Sequence, residues 1–299
     1  MFTKFTGMPI RNDEYRHMAT SPSKALATEP RWQPEKLPPF PAVAVKALNL
    51  MAGTETSLID LCNLIRSDAA FSTEILRIAN SPLVAFSKDI TSVLQASMLL
   101  GFRRLRSIVI TVGLKAYLAE PFTPLLHACW RHSVACAIIA ERAALACSFD
   151  KESAYTAGIM HDIGRVALVA SMPQVYERVV ERGADGPADL LRAERELCGL
   201  DHCQAGQALV AAWGLPEAFL AVTTCHHEPA SRARGAASVL PPSCMLADDL
   251  GFGVLNYRGP RSDRDILDGF PEPARNAFSN DGEQLAGEIA NEIRLIESA

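Results

Sequence analysis

The sequence predicts an all-α protein, for three reasons. Apolar residues recur three and four positions apart along most of the chain, which is the period of a helix with one buried face. Proline and glycine stand mostly between these segments, and no alternating segment with a hairpin partner interrupts them. The run IVITV at 108–112 would also suit a strand, but it has no second strand to pair with, so we predict a helix there.

Length and composition exclude several classes of protein. The 299 residues are 48% hydrophobic, which supports one large or two ordinary domains with buried cores and excludes disorder for most of the chain. The net charge of −5 gives no general attraction to phosphate backbones, so a nucleic-acid partner is not expected. The eight cysteines form no Cys-x-x-Cys pair, and neither a signal peptide nor a membrane span is evident. We therefore expect a cytoplasmic protein with reduced thiols.

Composition divides the chain into successive parts. Residues 1–36 are polar and carry spaced prolines, so we expect a flexible lead. The helical segments fill 37–250, with an N-terminal helical lobe at 37–121 and a second lobe at 122–250. Residues 251–280 are rich in Gly, Pro, Asp and Arg, which predicts a surface loop, and 281–299 form a C-terminal helix.

Individual helices are located by their apolar spacing and by their ends. Ser57 is predicted to cap the helix that follows it, and Gly101 to separate two helices. The C-terminal helix carries an apolar stripe that docks on the body or, alternatively, pairs with another subunit to form a homodimer; its residues are Leu285, Ile289, Ile293 and Ile296. Shorter helices are predicted at 187–198, 202–213, 216–228 and 238–250.

Six of the seven histidines lie between residues 127 and 227, and several of them sit in helical segments. Imidazole and carboxylate are ligands that divalent metals prefer, and a helical bundle can bring them together from separate helices. Arg165 supplies a fixed positive charge near the His-Asp pair, where it could hold a phosphate oxygen. Ile163 and Gly164 are expected to end or kink the helix there. The candidate metal ligands are His132, His161, Asp162, His202, His226, His227 and Asp248.

Each candidate has a simpler alternative when it is taken alone. A single histidine in an apolar helix is more often a hydrogen-bonded core residue than a ligand, and a pair of histidines at a helix end is often solvated. Arg103, Arg104 and Arg106 could contact phosphate or an acidic partner, but a solvated helix turn explains them as well. The joint pattern of the histidines is therefore the informative observation.

The motifs resemble those of HDOD domains, which belong to the HD superfamily of metal-dependent phosphohydrolases and are related to HD-GYP domains. The similar segments in the first lobe are LPPFPAVAVKALNL, LIRSDAAFSTEILRIANSP and ITSVLQASMLLGFRRLRSIVI. Those in the second lobe are WRHSVACA, YTAGIMHDIGRVAL, DHCQAGQALVAAWGLPEAF and the His226-His227 pair. The resemblance covers roughly 37–248 and implies an HD-like helical bundle.

The resemblance also implies roles for the candidate ligands. In HD phosphohydrolases one metal is bound by residues similar to His132, the His161-Asp162 pair and Asp248. Relatives with two metals add histidines similar to His202, His226 and His227, with the aspartate of the pair bridging. The implied cofactor is one or two divalent ions, and iron, manganese, zinc and nickel all suit such ligands.

Two functions follow from the resemblance. The first is a bacterial-type signalling output or adaptor protein that regulates signalling partners by binding, with a metal, nucleotide or cyclic dinucleotide as its cue. The second is an active metal-dependent phosphohydrolase or phosphodiesterase, in which Asp162 holds metal and Arg165 offsets developing charge. The chain lacks a Gly-Tyr-Pro motif after His226-His227 and has Ala128 where relatives carry a carboxylate, which favours the first.

Overall fold

The computed structural model describes residues 32, 39–53, 57–81, 90–118, 123–183, 187–227, 234–255, 263–278 and 282–298. Helices connected by short turns make up these ranges, and no strand occurs within them. The all-α prediction is therefore confirmed. The expected flexible lead lies outside the described residues except for Trp32, which is half-buried against the hydrophobic core.

Four helices lie in the described residues of the N-terminal part, from 39 to 118. The Ser57 side chain accepts a hydrogen bond from the backbone N–H of Asp60, as the predicted cap requires. The run at 108–112 lies within the fourth helix and is buried throughout, so helix was the correct alternative. The four helices are α1 (Ala42–Ala52), α2 (Leu58–Arg66), α3 (Ala69–Ala79) and α4 (Val93–Tyr117).

Helix α4 is kinked at Gly101, where the sequence predicts a boundary between two helices. The glycine has φ 72° and ψ 168°, a conformation that side-chain-bearing residues rarely adopt. A Cβ at this position would contact nothing within 4 Å, so backbone strain is the only cost of adding one. We expect Gly101→Ala to lower the free energy of unfolding by about 1–2 kcal/mol, measured by denaturant titration. An unchanged midpoint would contradict this account of the kink.

The described residues from 123 to 255, which we refer to as the second lobe, are organised around α5 (Pro124–Ala146), which is buried along most of its length. Helix α6 (Lys151–Met160) packs closely on α5. Gly158 permits this contact, since a Cβ at that position would lie 2.4 Å from the Ala137 Cα. The predicted short helices are present, each within a few residues of its expected bounds. The remaining helices of this lobe are α7 (Ile163–Ser171), α8 (Pro173–Arg182), α9 (Pro187–Cys198), α10 (His202–Ala212), α11 (Ala218–Cys225) and α12 (Leu240–Ala247).

The prediction of a loop over 251–280 was wrong for much of that segment. It contains α13 (Asp263–Asp268) and α14 (Glu272–Phe278). The reason is an apolar face that the surrounding Gly, Pro and charged residues concealed. Its members are spaced four apart and are all buried, namely Ile266, Phe270, Ala274 and Phe278.

The C-terminal helix α15 (Gly282–Ser298) docks on the body of the same chain. Ile289 and Ile293 are fully buried against the common core, and Arg142 of α5 pairs with Glu288 and Glu292. The apolar stripe is thus intramolecular, which was the first of the two alternatives. One hydrophobic cluster runs from α1 to α15 through both lobes. Among the described residues, no helix has the length and apolarity needed to cross a bilayer.

Candidate metal centre

The predicted histidines converge from four places in the second lobe. His132 lies in the middle of α5, and His161 and Asp162 occupy the junction between α6 and α7. His202 is the first residue of α10, and His226 directly follows the last residue of α11. The helix break falls at His161-Asp162, which turns both side chains inward.

Gly164 has a different role from the one predicted, because it lies inside α7 and does not end a helix. It lies where α7 crosses α10. A Cβ on Gly164 would stand 1.9 Å from the backbone oxygen of His202 and 2.4 Å from the backbone nitrogen of Gly206. The absent side chain therefore lets the start of α10 approach the α6–α7 junction, which brings His202 next to Asp162.

Asp162 is the centre of the cluster, and its two oxygens face different histidines. Oδ2 lies 3.8 Å from His132 Nε2 and 3.7 Å from His161 Nε2. Oδ1 lies 3.5 Å from His202 Nε2 and 3.3 Å from His226 Nε2. We call the Oδ2 side the first half of the site and the Oδ1 side the second half. His227 joins the second half, with its Nε2 2.8 Å from His202 Nε2.

The donor atoms of this cluster fit a bound cation. Buried polar atoms normally have hydrogen-bond partners, yet His161 Nε2 has none, and the two Asp162 oxygens face the imidazoles and Arg165 without forming hydrogen bonds of normal geometry. In the second half, ring nitrogens of His202, His226 and His227 face one another. Such a set of unpaired nitrogens and oxygens directed at common points is what a divalent ion requires.

Electrostatics keep the cluster in a ligating form. Burial favours the neutral acid, but Arg165, with Nη1 3.0 Å from Asp162 Oδ2, and His161 hold the pKa of the Asp162 carboxyl well below its usual range. Burial lowers the pKa of His161, and burial together with neighbouring imidazoles lowers the pKa of His227. A charged carboxylate beside neutral imidazoles is the protonation state that binds metal, and the pKa shifts of Asp162, His161 and His227 all favour it.

Glu194 belongs to the site although the sequence analysis did not identify it. Its Oε2 lies 2.7 Å from His202 Nδ1 and accepts a hydrogen bond from the His202 backbone N–H, and Tyr176 Oη donates to its Oε1. Although burial opposes it, Glu194 holds the pKa of His202 above its usual range. Glu194 lies four residues after Leu190 and four before Cys198, both buried on α9, so the spacing places it on the buried face of that helix. A carboxylate on a buried face was the signal in the sequence that could have identified it.

Asp248 also contacts the cluster, but from the far side of His132. Its Oδ1 lies 3.3 Å from His132 Nδ1, whereas the ring nitrogen that faces Asp162 is Nε2. Helix α12 ends at Ala247 and continues into a wide turn at Asp248–Phe252. The structure thus brings all seven sequence-predicted residues together, with Asp248 at the periphery.

The contact between Glu194 and His202 leads to a prediction about metal affinity. A carboxylate bound to the outer nitrogen of a ligating imidazole fixes its orientation and raises its basicity. We expect Glu194→Gln to weaken metal binding about 10–100-fold, measured by competition with a chromogenic chelator. The control is Glu196→Gln, which removes an exposed carboxylate from the same helix. Equal affinities in the two variants would contradict this role.

The basic cluster on α4 is occupied by acidic side chains of the same chain. Arg103 Nη1 lies 3.1 Å from Asp150 Oδ2, and Arg104 Nη1 lies 3.0 Å from Glu141 Oε1. Arg104 also lies over the Tyr155 ring. These contacts hold α4 against α5 and α6, so two of the three arginines have a packing role.

Comparison with known proteins places this chain in a family and a fold. Residues 37–229 match the family model described as HDOD domain. A Shewanella amazonensis SB2B crystal structure named "Putative phosphohydrolase" superposes with a TM-score of 0.64, at 22% identity over 88% of this chain and 93% of that one. A Marinobacter aquaeolei VT8 structure named "Putative signal transduction protein" gives a TM-score of 0.56, at 22% identity over 88% of this chain and 58% of that one.

A curated relative is an uncharacterized protein of Treponema pallidum (strain Nichols). It is 22% identical over 219 residues, which cover 73% of this chain and 42% of the relative. The chain therefore spans less than half the length of that relative.

Proposed function

The chain belongs to the HDOD domain family, and on this basis we propose that it is a signalling output protein that regulates partner proteins by binding them. In this proposal the His/Asp cluster holds one or two divalent cations. The cations tie α5, the α6–α7 junction, α10 and the end of α11 into one arrangement. The protein acts in the cytoplasm, where the free thiols of its described cysteine side chains stay reduced.

The burial of the cluster is the observation that favours binding over catalysis. The side chains of His132 and Asp162 are each 1% exposed, and that of His161 is 0% exposed. The Arg165 side chain is 4% exposed and is held against Asp162. A phosphoester must reach both the cation and the arginine to be hydrolysed, and these side chains present almost no surface to it.

The ligand assignments follow from the geometry already described. His132 and His161 serve the first half, and His202, His226 and His227 serve the second. Asp162 bridges the halves, Asp248 completes the set beside His132, and Arg165 balances the Asp162 charge. A bound divalent ion supplies a Lewis acid that fixes ligand positions and lowers the pKa of coordinated water.

A groove away from the cluster supports the binding role. It has a volume of about 520 Å³ and lies between α4, α5, α6 and α15. Leu99 and Leu145 on its rim are 46% and 64% exposed, and Arg104, Glu141 and Tyr155 contribute polar groups to its floor. Exposed apolar side chains beside a few converging polar groups are typical of sites that bind partner proteins or small ligands such as nucleotides.

The second candidate function is metal-dependent phosphoester hydrolysis. A carboxylate whose two oxygens face two sets of histidines is the arrangement that two-metal hydrolases use to bridge their ions. In that case Asp162 would hold metal and Arg165 would offset charge on the substrate phosphate.

Turnover measurements distinguish the two functions. Metal-reconstituted protein is incubated with nucleotides and cyclic dinucleotides, and we expect every phosphoester to be recovered intact. Hydrolysis that is lost in Asp162→Ala would instead establish the enzyme. For the binding role, a photocrosslinking residue at position 145 should capture a defined partner in cells, whereas one at exposed Gln174 on α8 should not.

A further inference from the structure

The first half of the metal site contains a sulfur atom beside its two histidines. Cys244 Sγ lies 3.5 Å from His132 Nε2. These two atoms and a ring nitrogen of His161 all lie within 4.8 Å of one another, with all three residues buried. His161 Nε2 and both Asp162 oxygens beside this group lack hydrogen-bond partners. The thiol therefore stands among buried groups that are directed toward a ligand.

The position of Cys244 on α12 explains why it, and not Asp248, approaches this point. The two residues are four apart, so Cys244 lies about one helical turn before Asp248. Cys244 approaches the ring nitrogen of His132 that faces Asp162, whereas Asp248 approaches the opposite nitrogen. Cys244 thus lies beside the His132 nitrogen that faces Asp162.

We propose that Cys244, as a thiolate, is a side-chain ligand of the cation in the first half, beside His132. This inference rests on the proposed metal site. On binding, the S–H proton leaves to solvent and a metal–sulfur bond forms, so the charge of the cation is partly neutralised by the thiolate. His161 and the Asp162 carboxylate complete four ligands, the number typical of zinc sites.

The sulfur atom changes the donor set of the first half. This half offers two imidazoles, one thiolate and the shared carboxylate, whereas the second offers three imidazoles, the same carboxylate and the partly buried Cys203 thiol. Thiolate ligands select zinc and cobalt over manganese and magnesium, which prefer oxygen. The first half is therefore expected to retain zinc when manganese is in excess.

Cobalt spectroscopy of the full chain tests the assignment directly. Co²⁺ bound by histidines gives ligand-field bands in the visible region, and a cobalt–thiolate bond adds a charge-transfer band in the near ultraviolet. We expect both signals in the unaltered protein. In Cys244→Ser the charge-transfer band should disappear, the ligand-field bands should remain, and one cobalt equivalent should bind about tenfold or more weakly.

Two other thiols serve as matched controls. Cys136 is buried one turn after His132 on α5, and Cys203 follows His202 in the second half. Cys136→Ser and Cys203→Ser should keep the charge-transfer band. If the charge-transfer band is lost in Cys203→Ser alone, Cys244 is not the sulfur ligand, although the metal site remains. The same conclusion follows if the unaltered protein shows ligand-field bands but no charge-transfer band. Absence of both signals would overturn the metal site as well.

Discussion

Asp162→Asn is expected to lose all bound metal, from both halves of the site. The carboxylate is the one group that faces all four of the nearest imidazoles, at 3.3–3.8 Å. An amide of the same shape keeps the fold but offers a single neutral oxygen, so it cannot bridge two cations. Elemental analysis of purified, untagged protein after incubation with zinc or iron measures the effect.

The control for this variant is Asp268→Asn. Asp268 lies on α13, is 51% exposed and pairs with Arg275, so its change leaves the cluster untouched. Metal content equal to that of the unaltered protein is expected for the control. If Asp162→Asn retained as much metal as Asp268→Asn, the carboxylate would not be the bridging ligand. If the control and the unaltered protein held no metal either, the histidines would be a hydrogen-bonded core cluster, which is the simpler alternative for each of them.

Gly164→Ala is expected to be the most destabilising single-methyl change in the second lobe. The new Cβ would stand 1.9 Å from the His202 backbone oxygen and 2.4 Å from the Gly206 backbone nitrogen, and backbone atoms cannot rotate away. Overpacking of this kind costs about 3 kcal/mol, which corresponds to a fall in the midpoint of thermal unfolding of roughly 6–10 °C. Because α7 and α10 must separate, metal affinity should fall as well.

Gly287→Ala is the matched control for this substitution. Gly287 lies within α15, and a Cβ there would meet nothing within 4 Å. Removing backbone freedom from a helix interior should raise the free energy of unfolding by about 0.5–1 kcal/mol. The two glycine-to-alanine changes are therefore expected to shift thermal unfolding in opposite directions. Similar shifts in both would show that the α7–α10 crossing tolerates a side chain.

The sequence was sufficient for those parts of the structure that depend on local spacing. The helical period located most helices, the capping side chain of Ser57 and the boundary at Gly101, and the family motifs located the histidines that surround Asp162. The loop predicted at 251–280 failed because composition was weighed above the four-residue spacing of Ala274 and Phe278, which are both buried on α14. In that segment the periodic signal was present and was the better guide.

The remaining features depend on how helices pack, which spacing along the chain does not determine. Glu194 meets His202 only because α9 and the start of α10 are adjacent in space. Which ring nitrogen of His132 faces Asp248 depends on side-chain rotation within a crowded interior. The importance of Gly164 is also invisible in the sequence, since it arises from the backbone of a helix 40 residues away in the chain.

The docking of α15 has a consequence for how the protein is made. Lys115 near the end of α4 donates to the backbone oxygen of Ile296, across 181 residues, and α15 supplies part of the common core. Contacts of such long range form late, because closing a large loop costs entropy before packing compensates for it. During synthesis the apolar face that α15 covers therefore stays open until residues 282–298 leave the ribosome, and a chain halted before that point should depend on chaperones to remain unaggregated.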